Sequence, residues 1–227
     1  MPPLNIAILA SGSGSNAEAI FQKIEQGLIN AKVSLIISNR PQATVLERAK
    51  NYNLATLALD HKAYTTREEF DHVLVDALQK CGAELIVLAG YMRILTPVFI
   101  QAFKNKIINV HPAILPSFIG AHGAADACQW GVKLSGCTVH FVDEEVDHGA
   151  IIAQAAVPVM DDDDASSLQK RIQTMEHRIF PQVIQWIATN RIKIENRQIK
   201  LIPSDKVQKA KFEDNNFLIW PPLEENF

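Results

Sequence analysis

Cysteine is scarce. Cys81, Cys128 and Cys137 are the only three in 227 residues, and no two have CxxC spacing. That argues against a disulfide framework or a cysteine-bound zinc, and a buried structural thiol is the expected role of Cys137. No apolar run approaches the roughly 20 residues of a membrane-spanning helix. The segment Met1-Pro2-Pro3-Leu4-Asn5 lacks the basic region and long apolar core of a signal peptide, so the expected location is cytoplasmic. The 7 histidines show no HExxH or similar ligand spacing, and no metal is expected. Basic residues are not clustered: 22 Lys and Arg stand scattered against 25 Asp and Glu, for a net charge of −3. A nucleic-acid surface needs a basic patch, so no nucleic-acid partner is expected. An anionic small molecule still fits if backbone amides bind it. Either a monomer or a homodimer fits this composition.

What is present is an ordinary globular mixture, 48% hydrophobic and 21% charged, long enough to bury a sizeable core. Strand and helix patterns alternate through the first half. Leu4–Ala10 is a continuous apolar run, as expected of a strand buried on both faces. A helix follows over Ser15–Gln26, with Ile20, Ile24 and Leu28 four apart and Gly27 closing it. Val33–Ser38 reads as a strand, Gln42–Tyr52 as a helix and Ala55–Leu59 as a short strand. Thr65-Thr66-Arg67-Glu68-Glu69 offers a capping box in two registers for a helix reaching about Lys80. Ala83–Ala89 and Ile107–Val110 are further strands, separated by a helix that Thr96-Pro97 opens. This alternation predicts a mostly parallel twisted sheet with helices on both faces, Rossmann-like in its first half.

The pattern changes after His111. Pro112–Gly120 is a loop, and a short helix runs to about Trp130. Leu134–Asp143 and Ala150–Val159 alternate as strands suited to antiparallel pairing. A long helix spans Ser166 to about Ala188, with Pro181 expected to bend it. Arg191–Ile202 resembles a hairpin turning at Asn196-Arg197, and residues 203–227 read as a loosely packed tail.

Several short stretches carry chemistry. Ser11-Gly12-Ser13-Gly14-Ser15-Asn16-Ala17 joins the first strand to the first helix, where small residues and free N–H groups suit a phosphate. Its spacing also fits the dinucleotide fingerprint, with Arg40 in reach of a 2′-phosphate but no acidic residue ending the second strand. A tight turn without ligand is the third reading. Gly90-Tyr91-Met92-Arg93-Ile94-Leu95 follows a buried strand and places apolar groups where an α/β sheet lines its ligand crevice; burial under the next helix is the alternative. Asn109 and His111, at i and i+2 of an ending strand, point to one side. Asp147, if it folds back, would hold that imidazole charged beside an amide donor, a set suited to acyl chemistry. Glu176 sits among apolar neighbours on the long helix, where a carboxylate needs a partner. Asp161-Asp162-Asp163-Asp164 looks like a metal cluster, but complementing the dipole of the following helix explains it more simply.

Together these stretches resemble the phosphoribosylglycinamide formyltransferases of purine synthesis. The resemblance covers about residues 4–190 and also draws on Ala113-Ile114-Leu115-Pro116, Gly136-Cys137-Thr138-Val139-His140-Phe141-Val142 and Asp147-His148-Gly149. It implies a mononucleotide-binding half (1–108), a catalytic and folate-binding half (109–190) and a C-terminal hairpin and tail (191–227). It implies formyl transfer from 10-formyltetrahydrofolate to the amine of glycinamide ribonucleotide. Gly14, Ser15, Asn16 and Glu176 would hold the ribotide. Arg67, Met92, Arg93, Ile94, Leu95, Asn109 and the loop Asp143-Glu144-Glu145-Val146-Asp147 would hold the folate. Asn109, His111 and Asp147 match the family's catalytic trio. One stretch departs: where many members have proline-glycine-x-histidine-x-histidine, this chain has Ile119-Gly120-Ala121-His122-Gly123-Ala124, losing the second histidine. Two related activities fit less well. A methionyl-tRNA formyltransferase would need a larger and more basic C-terminal region, and a formyltetrahydrofolate hydrolase would carry a domain before the strand at Leu4. An NADP-dependent oxidoreductase using the glycine loop and Arg40 is the alternative from another class, and a non-catalytic ribotide-binding module is a third.

Overall fold

Successive residues of a strand face opposite sides, and in the first strand both sides are apolar. Ile6 and Ile8 enter one core, while Ala7 and Leu9 enter the other. A computed structural model of the chain describes residues 1–203 and 218–227. Its first half runs β1 (Leu4–Leu9), α1 (Ser15–Glu25), β2 (Ala31–Ser38), α2 (Thr44–Asn51), β3 (Thr56–Ala58), α3 (Arg67–Lys80), β4 (Leu85–Leu88), α4 (Pro97–Ala102) and β5 (Ile107–His111). Then come α5 (Gly123–Trp130), β6 (Leu134–Phe141), β7 (Ile151–Pro158), α6 (Ala165–Ala188), β8 (Ile192–Glu195), β9 (Gln198–Leu201) and β10 (Leu218–Trp220).

Eight strands form one sheet in the order β10-β7-β6-β5-β4-β1-β2-β3. Pairing is parallel from β3 to β5, and β6 reverses direction against β5. The expected antiparallel pair is β6 with β7. One face is covered by α1, α2 and α6, with Phe21, Ile179 and Trp186 in its core; the other holds Phe70, Leu74 and Phe99 from α3 and α4. The mostly parallel α/β class read from the pattern is the one observed.

Local signals account for the boundaries. Of the two capping registers, Thr66 and Glu69 form the box that opens α3. The acidic run is used at the start of α6: Asp164 caps it through Ser167, and Asp163 is paired with Arg171, Nη2 to Oδ1 at 3.0 Å. The Arg171 hydrogen bonds hold the Asp163 carboxyl well below the usual carboxylate range. The helix continues through Pro181 to Ala188. The hairpin β8–β9 turns at Asn196-Arg197, with Asn196 at φ 56°. Cys137 is fully buried, and that burial pushes its thiol well above the ordinary range, which suits a structural role. Among the described residues no helix is long and apolar enough to cross a membrane.

The tail departs from expectation. Residues 218–227 are not loosely packed; residues 204–217 lie outside the described residues. β10 pairs antiparallel with β7 and supplies the partner that an edge strand lacks. Beyond it Leu223 is buried, the Glu224 N–H donates to Gln182 Oε1 at 2.8 Å, and the Glu224 carboxylate is paired with Arg191. The Arg191 and Glu224 side chains are only 12% and 9% exposed. Removing Arg191 breaks this buried pair and the hydrogen bond from its Nε to the Ile202 carbonyl, at a cost of roughly 3 kcal/mol. Arg191→Ala is therefore expected to lower stability by about that amount in urea unfolding, and a loss below about 1 kcal/mol would show that the pair does not anchor the tail.

Candidate active site

The parallel strands all end on one edge of the sheet, and the chain changes direction between β1 and β4. In open α/β sheets that switch point is where crevices form. Here the loops after β1, β4 and β5 surround two adjoining cavities of about 280 and 380 Å³. Gly90, Met92, Val110, Pro112 and Ala121 line both.

The smaller cavity is built on Ser11–Asn16. Gly14 precedes α1 at φ 76°, and a Cβ there would come within 2.5 Å of the Val45 side chain, so both backbone and space require glycine. No side chain caps α1, which leaves first-turn N–H groups of the helix available to an anion. Ser15 Oγ accepts from Gln173 Nε2 at 2.9 Å, and Asn16 Nδ2 donates to Glu176 Oε2 at 2.7 Å. Glu176 is 3% exposed; burial pushes its carboxyl up to about 7, against the opposing Asn16 hydrogen bond. Arg40 and Gln169 complete the lining.

The larger cavity is apolar on one side. Met92 and Ile94 are 60% and 57% exposed at its wall, a patch of the kind that marks a ligand groove. Arg93 lies over the Phe70 ring at 4.6 Å. The wall is fixed from behind by Asp71, whose Oδ2 accepts the Thr96 N–H at 2.7 Å at the start of α4. Asp143–Asp147 forms the opposite side. Arg67 is exposed at the start of α3 and does not line the cavity.

Asn109, His111 and Asp147 come together at the base of this cavity. Asp147 has φ 51°, and its Oδ2 lies 3.4 Å from His111 Nδ1 while accepting the Gly120 N–H at 2.9 Å. His111 Nε2 lies 2.8 Å from the Phe118 carbonyl oxygen. Both ring nitrogens thus face oxygen atoms. After Asp147 the turn closes on Gly149, where a Cβ would lie 1.8 Å from the Phe141 carbonyl.

Two features were not assigned from sequence. The first is His140. Its Nδ1 is 2.7 Å from the Phe141 carbonyl and so carries the proton, which leaves Nε2 to accept from Asn109 Nδ2 at 3.2 Å. Burial lowers the His140 pKa, in keeping with a neutral ring; Asp147 Oδ1, 3.7 Å away, is beyond hydrogen-bond length. The second is Thr138, which holds the loop after His111 by donating to the Ala113 carbonyl at 2.7 Å and accepting from Leu115 N at 3.0 Å. Only the β5–β6 register, which sets Asn109 beside His140 and His111 beside Thr138, could have indicated them. Among the described residues there is no group of three His, Cys, Asp or Glu placed to hold a metal ion.

The family described as formyl transferase matches residues 4–184. The phosphoribosylglycinamide formyltransferase of Bacillus subtilis (strain 168) is 40% identical over 179 residues, covering 79% of this chain and 92% of the relative. Its counterpart in Escherichia coli (strain K12) is 39% identical over 191 residues, covering 84% and 90%. The trifunctional purine biosynthetic protein adenosine-3 of Gallus gallus is 41% identical over 84% of this chain, which spans only 19% of that protein's length. Among solved structures, glycinamide ribonucleotide transformylase 1 from Symbiobacterium toebii superposes with a TM-score of 0.87 at 43% identity, covering 88% of this chain and 95% of that one.

Glu176 yields a pH test. Its carboxyl moves from an ordinary 4.5 to about 7 on burial, so the folded protein holds a proton that the unfolded chain releases. Stability from this group is complete below about 4.5 and lost as pH rises through about 7. Glutamine cannot ionise, so Glu176→Gln is expected to gain melting temperature relative to the parent as pH rises across that window. A difference that stays flat with pH would contradict burial of the carboxyl.

Proposed function

The chain belongs to the formyl transferase family, and from that premise we propose that it transfers a formyl group from 10-formyltetrahydrofolate to the amine of glycinamide ribonucleotide in purine synthesis. The other two activities of the trifunctional relatives are not part of this reading. The observation that best supports it is the meeting of an amide, an imidazole and a carboxylate where two cavities adjoin, one suited to a phosphate and the other to a flat apolar ligand. Family membership sets aside the nicotinamide-dependent alternative.

The ribotide phosphate binds the amides of Gly14, Ser15 and Asn16, with Glu176 and Gln173 on the ribotide's polar groups; the half formed by residues 1–108 thus supplies the phosphate subsite. The folate lies against Met92, Arg93, Ile94 and Leu95, opposite Asp143, Glu144, Glu145, Val146 and Asp147. Arg67, outside the cavity lining, meets only the part of the folate that projects beyond the rim.

The neutral amine attacks the formyl carbon, forming a C–N bond and placing negative charge on the formyl oxygen. One Asn109 N–H is held by His140, and the other serves this oxygen. The His111 Nε2–H now given to the Phe118 carbonyl turns to the oxygen as well, and Asp147 on the Nδ1 side stabilises the imidazolium. Placing donors where charge develops is worth several kcal/mol of barrier. The intermediate collapses by breaking the bond from formyl carbon to folate N10. The proton lost by the amine passes to N10 through water, so atoms and charge balance.

Incubation with both substrates should yield formylated ribotide and tetrahydrofolate; release of formate without an amine acceptor would instead indicate a hydrolase. His111→Ala and Asp147→Ala are each expected to lower kcat about 100-fold or more, the scale of lost proton and charge assistance, and near-native turnover in both would overturn the assignment. Asp147→Asn removes the counter-charge of the imidazolium. Its kcat is expected to fall, with the ribotide Kd little changed, because the phosphate loop lies elsewhere.

A further inference from the structure

The two cavities share a wall, and the contact across that wall is polar. Ser11 belongs to the phosphate loop after β1, and Gly90–Met92 to the apolar wall after β4. The Ser11 N–H donates to the Gly90 carbonyl at 3.0 Å, and Ser11 Oγ accepts the Met92 N–H at 2.8 Å. The hydroxyl's single proton goes to Asn39 Oδ1 at 2.6 Å, so its lone pairs are left to receive Met92. Ser11 and Asn39 are 2% and 1% exposed. Asn39 is fixed in turn by His61, whose Nδ1 lies 2.8 Å from the Asn39 carbonyl. The tie is therefore dry, directional and anchored on both sides.

On the reading given under Proposed function, Ser11 joins the loop that binds the ribotide to the strand end that carries the folate wall. We propose that Ser11 is a positioning residue that couples the two subsites, so that filling one cavity preorganises the other. A phosphate drawn onto the amides of Gly14, Ser15 and Asn16 orders the loop containing Ser11. Through the hydroxyl, that order reaches the Met92 N–H, and Met92 lines both cavities. Without the hydroxyl the Met92 N–H loses its acceptor, and only the backbone bond from Ser11 to Gly90 still joins the two loops there. Coupling of this kind is reciprocal: each ligand must tighten the other by the same factor.

The test measures tetrahydrofolate binding by calorimetry, with and without saturating glycinamide ribonucleotide. Tetrahydrofolate carries no formyl group, so no turnover occurs. In the parent protein the ribotide is expected to tighten tetrahydrofolate about 5-fold or more, the lower end of ordinary coupling. In Ser11→Ala the factor is expected to fall towards one, whatever the change in either ligand's affinity alone, because the factor is the ratio of the two tetrahydrofolate affinities. Ser11→Thr keeps the hydroxyl and is expected to retain the coupling. A merely structural defect would weaken both single-ligand affinities and leave their ratio unchanged. If Ser11→Ala does not fold, Asn39→Ala decides, because it frees the hydroxyl and should lower the factor part way. Binding of both ligands without coupling in the parent, or full coupling in Ser11→Ala and Asn39→Ala, overturns the proposal. Failure of the parent to bind either ligand would instead overturn the functional reading beneath it.

Discussion

The active site depends on one reversal of strand direction. β5 ends the parallel run, and β6 pairs with it antiparallel. Residues directly opposite in an antiparallel pair place their side chains on the same face. His140 therefore stands beside Asn109 and Thr138 beside His111. The first pairing orients the amide, and the second fixes the loop that leaves the imidazole. The same reversal carries the chain from β6 into the turn holding Asp147, so amide, imidazole and carboxylate converge without a dedicated structural element.

Environment decides what each carboxylate does. Asp147 keeps one oxygen for the Gly120 N–H and His111, with its backbone held in a left-handed turn closed by Gly149. Glu176 lies in an apolar face with Asn16 as its hydrogen-bond donor, and desolvation drives it towards the neutral acid. Asp163 and Asp164 meet Arg171 and the start of α6 and stay ionised. Three outcomes for one functional group follow from solvation, counter-charge and hydrogen bonding. The acidic run that looks most like a metal site in the sequence is thus used in capping and pairing.

The backbone around the site needs glycine for steric as well as conformational reasons. At Gly14 a side chain would collide with Val45, and at Gly149 with the Phe141 carbonyl. Both positions set the path of chain that carries polar groups into the cavities: the first turn of α1 in one case, Asp147 in the other. Packing and chemistry are thus not separable here.

Much of this was determined by sequence alone. Runs apolar on both faces, such as Leu4–Ala10 and Ala83–Ala89, read as central strands, because their side chains need a core on each side. The box of Thr66 and Glu69 and the run before α6 mark helix starts through local hydrogen bonds that need no distant partner. Asn109 and His111 share a face by the two-residue period of a strand. Tertiary structure decided what depends on register and approach: the distance from Asp147 to His111, the tautomer of His140, the burial of Glu176 against Asn16, and the seating of residues 218–227 on the edge of β7. These contacts join residues far apart in the chain. Local propensity has no term for them; their free energy is released only when the sheet order and its antiparallel pairings bring the partners out of water together.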